Sequence, residues 1–364
     1  MNSLSPEGAK APPKNGRRLS RRRFVAYAAG AAAVGAAGLL GLDLFYNRGA
    51  PKPETLTVFD QGATFAASAQ NPLIAEFEAN HNVTVSISSG TADQLVTEFV
   101  TETQANLPTA DVVTVWDAVG ASQLVTEGYA VNVVPESLAA QILPQDQSPL
   151  LIQHWGVLTI AYNPQKLAQG GIAAPTSFED LGDPAYASAL SLVDPTVDES
   201  ALSLLSYWIH TLNLGWDFVN ALKANQAFIT PSWGPPNGPP DYMVSSSSPI
   251  AVGDAGFGRA YPMQVAGQPI RSVIPGKGVL GSPQVTVVSK ATEKQALAEA
   301  YIEEVIFNPQ LLDWWVTQHD LPVSTSNTPL PAGIPSRESI QDIDAAWTNQ
   351  NELDLKLQWQ QIFG

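Results

Sequence analysis

The sequence predicts an α/β protein: two doubly wound α/β lobes joined by a hinge. Three observations carry that expectation. A chain of 364 residues exceeds one ordinary hydrophobic core, so two lobes are the default. Short apolar strands alternate with amphipathic helices along most of its length, the rhythm of a mostly parallel sheet. Between two such series lies His154–Asn163, apolar, β-branched at Val157, Thr159 and Ile160, and stopped by Pro164. That stretch reads as a buried strand crossing from one lobe to the other.

Taken in order, Leu56–Phe59 is the first strand, ending at Asp60-Gln61-Gly62. Leu73, Ile74 and Phe77 mark one face of a short helix started by Asn71-Pro72. Val83, Val85 and Ile87 alternate as in a strand, and Ser88-Ser89-Gly90 turns the chain. Thr91-x-x-Gln94 is a capping box for a helix burying Leu95, Val96, Phe99 and Val100. Asp111–Val115 is a continuous apolar strand of the parallel-sheet kind. Asp117 can cap the next helix, which carries Val119, Leu124 and Val125.

After the crossing strand the rhythm repeats. Thr176-x-x-Glu179 caps a short helix, and Ala189–Val193 is a strand ending at Asp194-Pro195. Thr196-x-x-Glu199 reads as a second capping box, ahead of a helix using Leu204, Leu205, Trp208, Ile209 and Leu212. Trp216, Val219 and Leu222 mark another helix, and the proline-rich residues 231–240 predict a stiff loop. Ile250–Gly253 is a strand ending at Asp254, and Val285–Val288 is the return strand. Thr292-x-x-Gln295 opens a helix using Leu297, Tyr301 and Val305. Ile340, Ile343, Trp347, Leu353 and Leu357 describe a last amphipathic helix.

Composition narrows the chemistry. With no cysteine there is no disulfide, thiolate nucleophile, cysteine-held metal or lipidated cysteine. Nine of the 18 Lys and Arg fall in residues 1–52 beside only Glu7 and Asp43, leaving 9 bases against 32 acids elsewhere. Nucleic acid is not the expected partner of so acidic a surface. The basic N-terminus is an address: Ser20-Arg21-Arg22-Arg23-Phe24-Val25 precedes an apolar run and resembles a twin-arginine export signal. Phe24–Leu42 is 19 residues, enough to span a bilayer if it is left uncleaved as an anchor. The folded part is expected from about residue 53, outside the cytoplasm, in the periplasm or at the cell surface.

Enzyme signatures are scarce. His81, His154, His210 and His319 lack the i,i+4 spacing of a helical metal pair, and each reads as a surface or core residue. No nucleophile elbow, zinc-protease motif or P-loop occurs. Asp194 and Asp198 could pose as a carboxylate pair, though capping by Thr196 and Glu199 is the simpler use of that turn. No catalytic residue, metal site or cofactor is expected. Polar and aromatic groups instead gather at strand ends, where open α/β sheets hold ligands. The candidate ligand-binding residues are Asp60, Gln61, Ser88, Ser89, Trp116, Asp117, Asp194, Thr196, Trp233, Asp254, Arg259 and Tyr261, each of which could equally be a cap or a packed loop residue.

Several segments over about residues 55–325 resemble the extracellular solute-binding proteins of ABC importers. They include Ala110-Asp111-Val112-Val113, Glu127-Gly128-Tyr129-Ala130, Ile160–Leu167, Pro175–Leu181, Val193–Thr196, Ile274–Gly278 and Ala298–Glu303 with Asn308-Pro309. The resemblance is to the two-lobed class with iron(III)-, polyamine-, thiamine- and phosphonate-binding members, the type 2 periplasmic binding protein fold. It implies a monomer that closes on one small solute and hands it to an ABC permease, without catalysis. It divides the chain into 1–52, the signal or anchor; 53–154 plus 276–325, lobe I; and 155–275 plus 326–364, lobe II. Iron-binding relatives carry two adjacent tyrosines where this chain has Asp254-Ala255-Gly256, against direct iron ligation. Carboxylates with aromatic walls favour a polyamine-like or other organic cation, whereas Ser88, Ser89, Thr196 and Arg259 would suit an anion. The competing expectations are a membrane-anchored ligand sensor and a secreted hydrolase using cleft carboxylates.

Overall fold

The computed structural model describes residues 53–64, 66–107, 109–142, 149–231, 238–245, 248–253, 260–276, 278–318, 320–322, 329 and 335–364, and Pro53–Gly364 forms one compact unit. Strands β1 (Glu54–Asp60), β2 (Val83–Ser88) and β3 (Val112–Val115) run parallel, with Leu56 opposite Val85 and Val58 opposite Val112. Helices α1 (Ala67–His81), α2 (Ala92–Gln104) and α3 (Ala118–Thr126) connect and cover them, and β4 (Ala130–Val131) follows. Burial differs as the pattern requires: β3 is buried throughout, while edge strand β2 alternates.

The crossing strand is β5 (Leu151–Tyr162), buried along its length up to Tyr162 and begun three residues before the apolar pattern does. Its first part pairs antiparallel with β10 (Val279–Ser289) as far as Leu158. From Thr159 its partners are β8 (Ile250–Gly253) and β9 (Arg271–Val273). The core changes at the same point: Val157 belongs to one hydrophobic cluster and Leu158 to another. On the return strand Leu280, opposite Leu158, belongs to the second cluster, and Val285, Val287 and Val288 belong to the first. Asn163 then caps α4 (Pro164–Gly170), accepting from the Gln165 and Lys166 amides, with Pro164 where a missing N–H costs nothing.

The second cluster is built on β6 (Leu190–Val193), α5 (Glu199–Ser206), α6 (Gly215–Ala224), β7 (Phe228–Thr230), β8 and β9, while α7 (Pro239–Ser245) and α8 (Ala260–Val265) place Met243 and Ala260 in a small third cluster with Ala161 and Ala251. Helix α5 runs on through a π turn at Tyr207–Thr211. After β10 come α9 (Gln295–Tyr301), α10 (Pro309–Thr317), β11 (Leu321–Pro322), β12 (Ile340–Gln341) and α11 (Ala345–Phe363). Among the described residues the strands form one sheet of order β2-β1-β3-β10-β5-β8-β6-β7, with β4, β9, β11 and β12 beside it. Helix α11 lies on both halves: Leu355 and Trp359 join the second core, while Asn349 Nδ2 donates to Val119 O of α3 at 3.4 Å.

Several expectations need correction. Helix α1 begins at Ala67, so Pro72 lies inside it instead of starting it. Asp198, not Thr196, caps α5, accepting from the Ala201 amide at 2.9 Å. At 176–182 the turn is 3-10, and Asp180 rather than Glu179 gathers the Thr176 and Ser177 amides. Thr292 does not cap α9; its hydroxyl donates to Asp111 and accepts from the Lys294 amide. Pro239 and Pro240 sit in the first turn of α7, where proline is tolerated, so the predicted loop ends earlier. The return strand begins at Val279, six residues before the apolar run, despite Pro283. Between Leu280 and Val285 that strand has a ladder partner only on its β5 side among the described residues, where Pro283 stands opposite Trp155, and a bulge follows Gln284. In α11 the buried stripe is Thr348, Leu355 and Trp359, while Leu353 and Leu357 face solvent; Ile340 belongs to β12.

Candidate functional site

The C-terminal ends of β1, β2 and β3 bring together Asp60, Gln61, Ser89 and Trp116, the end of β6 carries Asp194 and Thr196, and the structure gives many of these a structural task. Asp60 is buried, accepting from the Gly62 amide at 2.7 Å and Gln70 Nε2 at 2.8 Å, and burial pushes its carboxyl upward. Gln61 accepts from the Trp116 amide at 2.8 Å and so ties the β1 end to the β3 end. Ser88 ends β2 and Ser89 follows it, both exposed, with the Ser89 hydroxyl donating to Asp60 O. Asp194 accepts from the Thr196 amide in a tight turn, and both are half-buried. Trp233, Asp254 and Arg259 lie outside the described residues. Tyr261 is on α8, its side chain likewise outside them.

Helix N-termini at these strand ends could attract an anion. They are already served by their own side chains. Thr91 and Gln94 satisfy each other's amides at α2, Asp117 accepts from Gly120 N at 2.9 Å at α3, and Asp198 caps α5. Two of these three caps are carboxylates. An incoming anion would meet negative charge where bare N–H groups would otherwise be.

Trp116 stands half-buried at the end of β3, edge-on to Trp315 with ring centroids 5.5 Å apart and to His154 at 5.9 Å. His154 stacks on Trp315 at 4.2 Å and is fully buried. Its Nε2 donates to Gln284 Oε1 at 2.8 Å, and Nδ1 lies 3.3 Å from Asp320 Oδ2. Burial pushes this ring down to about 3, outweighing the Gln284 oxygen, which pulls the other way. His154 is thus a neutral core residue, as the spacing argument expects. A small polar cavity of about 10 Å³ beside it is lined by Asp60, Gln70, Gln153 and Gln284 among others. It has room for about one water, far short of a solute.

The residues that sequence reasoning missed lie where α3, α5 and α11 meet. Lys356 Nζ is 2.7 Å from Glu352 Oε1 on its own helix and 3.2 Å from Glu199 Oε1 at the start of α5. Burial, then the charge of Asp117, pushes Glu199 up to about 8 against the pull of Lys356. Burial pushes Asp117 up to about 6, with Glu352 and Asp93 adding to it. The only sequence signal was the Glu352–Lys356 i,i+4 pair; Glu199 stands 157 positions from Lys356. As a hydrolytic pair these carboxylates are poorly placed: Asp117 holds the Gly120 amide and Glu199 holds an ammonium. Among the described residues no group of three or more His, Asp or Glu side chains is arranged to hold a metal ion.

The model of the bacterial extracellular solute-binding protein family matches residues 62–310. No curated protein sequence matches the chain. Among solved structures, a periplasmic thiamin-binding protein has a TM-score of 0.68 at 18% identity, over 87% of this chain and 99% of that one. Iron-bound HitA from Pseudomonas aeruginosa has a TM-score of 0.67 at 17% identity, over 86% of this chain and 100% of that one. AfuA from Actinobacillus pleuropneumoniae, with exogenous fructose-6-phosphate bound, has a TM-score of 0.67 at 17% identity, over 85% and 98%.

Proposed function

The chain belongs to the bacterial extracellular solute-binding proteins, binding components of ABC-type transport, and from that premise we propose that it captures an organic cation, polyamine-like in its spaced ammonium groups. The family brings a small-molecule ligand and a permease partner. In the proposed account, the 1–52 segment directs export by the twin-arginine route and can remain as an anchor. Two lobes, parted at β5 and β10, close on the solute as monomers, using strand-end residues that include Trp116, Trp233 and Asp254. No helix among the described residues is long and apolar enough to cross a membrane.

One observation carries the choice of charge. Carboxylates occupy the N-termini of α3 and α5 at the strand ends, so these ends attract a cation and oppose an anion. The acidic balance of residues 53–364 supports the same sign. Trp116 offers an indole that suits a quaternary or alkylated ammonium.

A thermal-shift screen of the purified protein against polyamines, thiamine, phosphonates, sugars, amino acids and metal salts tests this. A bound solute at 100 times its dissociation constant stabilises by about 2.7 kcal/mol, a shift of a few degrees. Polyamines are expected to give the shift. Asp254→Ala then abolishes it and Arg259→Ala does not; the reverse would reassign the ligand as an anion. No shift with any class would favour a membrane-anchored sensor instead.

A further inference from the structure

Four polar side chains meet inside the first core. Asp60, Gln70, Gln153 and Gln284 are each 2% exposed or less, and together they line the cavity of about 10 Å³ beside His154. They come from four elements: Asp60 ends β1, Gln70 is on α1, Gln153 on β5 and Gln284 on β10. Their bonds to protein do not use up their polar atoms. Gln153 donates from Nε2 to Ile306 O, and Gln284 accepts through Oε1 from His154 Nε2. Among the described residues this leaves Gln153 Oε1 and Gln284 Nε2 with no hydrogen-bond partner. Asp60 takes a side-chain bond on each oxygen, from the Gly62 amide and from Gln70 Nε2, where a carboxylate has room for about four. Native interiors seldom keep a buried donor or acceptor unmatched, because its lost hydration is not repaid.

We propose that this cavity is a binding site for one internal water molecule, which donates to Gln153 Oε1 and to an Asp60 carboxylate oxygen and accepts from Gln284 Nε2. Three hydrogen bonds are the usual complement of a buried water, and a space of this size holds one. The mixed lining selects water over an ion. A cation would face the Gln284 N–H, and an anion would face the Asp60 carboxylate and the Gln153 carbonyl. The space exists because position 62 is glycine: an added Cβ would stand 2.7 Å from Gln284 Nε2 and 3.4 Å from Asp60 Oδ1. The bridge ties the end of β1 to the crossing strand and to the return strand. From that same end Gln61 holds the Trp116 amide, so the water helps set where Trp116 stands against β5 and β10. The site does not depend on which solute the protein carries.

A crystal structure of the wild-type protein at atomic resolution tests the site directly. One density peak is expected, about 2.7–3.1 Å from Gln153 Oε1, Gln284 Nε2 and an Asp60 oxygen. A cavity without density would overturn the proposal. So would a peak surrounded by oxygens alone at about 2.3–2.6 Å, the spacing of a bound metal ion. In solution, magnetic relaxation dispersion of the water oxygen counts long-lived internal waters. Gly62→Ala, whose methyl group takes the space, should hold one fewer than wild type. An unchanged count in the folded variant would also overturn the site, and if Gly62→Ala does not fold, the wild-type density decides alone.

Discussion

His154 and Glu199 are both buried titratable groups, yet their surroundings push them in opposite directions. His154 sits near the start of the crossing strand, stacked on Trp315 and bonded to Gln284, and burial keeps it neutral at ordinary pH. Glu199 sits where three helices meet, shares an ammonium with Glu352 and faces Asp117. A depressed histidine contributes stability above its ordinary pKa, and the contribution is lost as pH falls from about 6.5 toward 3. Raised carboxyls contribute stability in acid, and theirs is lost as pH rises through about 6 and 8. The contrast is between two kinds of burial: a neutral, fully packed ring stack, and a helix junction where Glu199 and Glu352 share one ammonium.

The stack should be the costlier place to cut. Trp315→Ala removes a fully buried indole from the stack and is expected to destabilise by about 3–5 kcal/mol, read from urea unfolding at pH 7. A loss under 1 kcal/mol would mean that the stack is not a packed centre. At the junction, Lys356→Met deprives Glu199 and Glu352 of a charge-assisted partner and should cost about 1.5–3 kcal/mol at pH 8. The same variant should cost clearly less at pH 5, where the raised Glu199 carboxyl is protonated; an equal cost at both would remove the distinction between the two regions.

A subtler probe lies at the return crossing. An added Cβ at Gly281 would stand 2.6 Å from the Trp155 ring and 2.8 Å from Ile340 Cγ2. Gly281→Ala is therefore expected to cost about 1–3 kcal/mol by overpacking, at every pH, since nothing it touches titrates. The smallest effect expected is Thr91→Ala, about 0.5–2 kcal/mol, because it removes a neutral cap. With both signs acting, the thermal midpoint of the wild-type protein should be highest near about pH 4–4.5, and lower at pH 8 than at pH 4.5. A midpoint that rises from pH 4.5 to 8 would show that the raised carboxyls do not contribute.

Much of the fold was legible because local chemistry and tertiary context agreed. Thr91 and Gln94 form the capping box their spacing announced, Asp117 caps α3, and Asn163-Pro164 ends β5 and starts α4. Agreement failed where a neighbour changed the rule. Gly281 and Pro283 look like strand breakers, but β10 tolerates them where it has one ladder partner and Trp155 needs the space. The phase of α11 was misjudged because it touches two bodies at once and leaves Leu353 and Leu357 outside. The candidate site was legible only as a set of strand ends. Which side chains those ends use for capping, and which distant charges join them, depends on contacts such as Lys356 to Glu199 that no local pattern encodes.

The central claim is that the protein binds a small cation and not an anion, and calorimetric titration tests it most directly. Purified protein at pH 6 is titrated with spermidine and, in a matched experiment, with methylphosphonate. Saturable binding of one spermidine per chain, with no heat from methylphosphonate, is the predicted result. Saturable binding of methylphosphonate with none of spermidine would contradict the account.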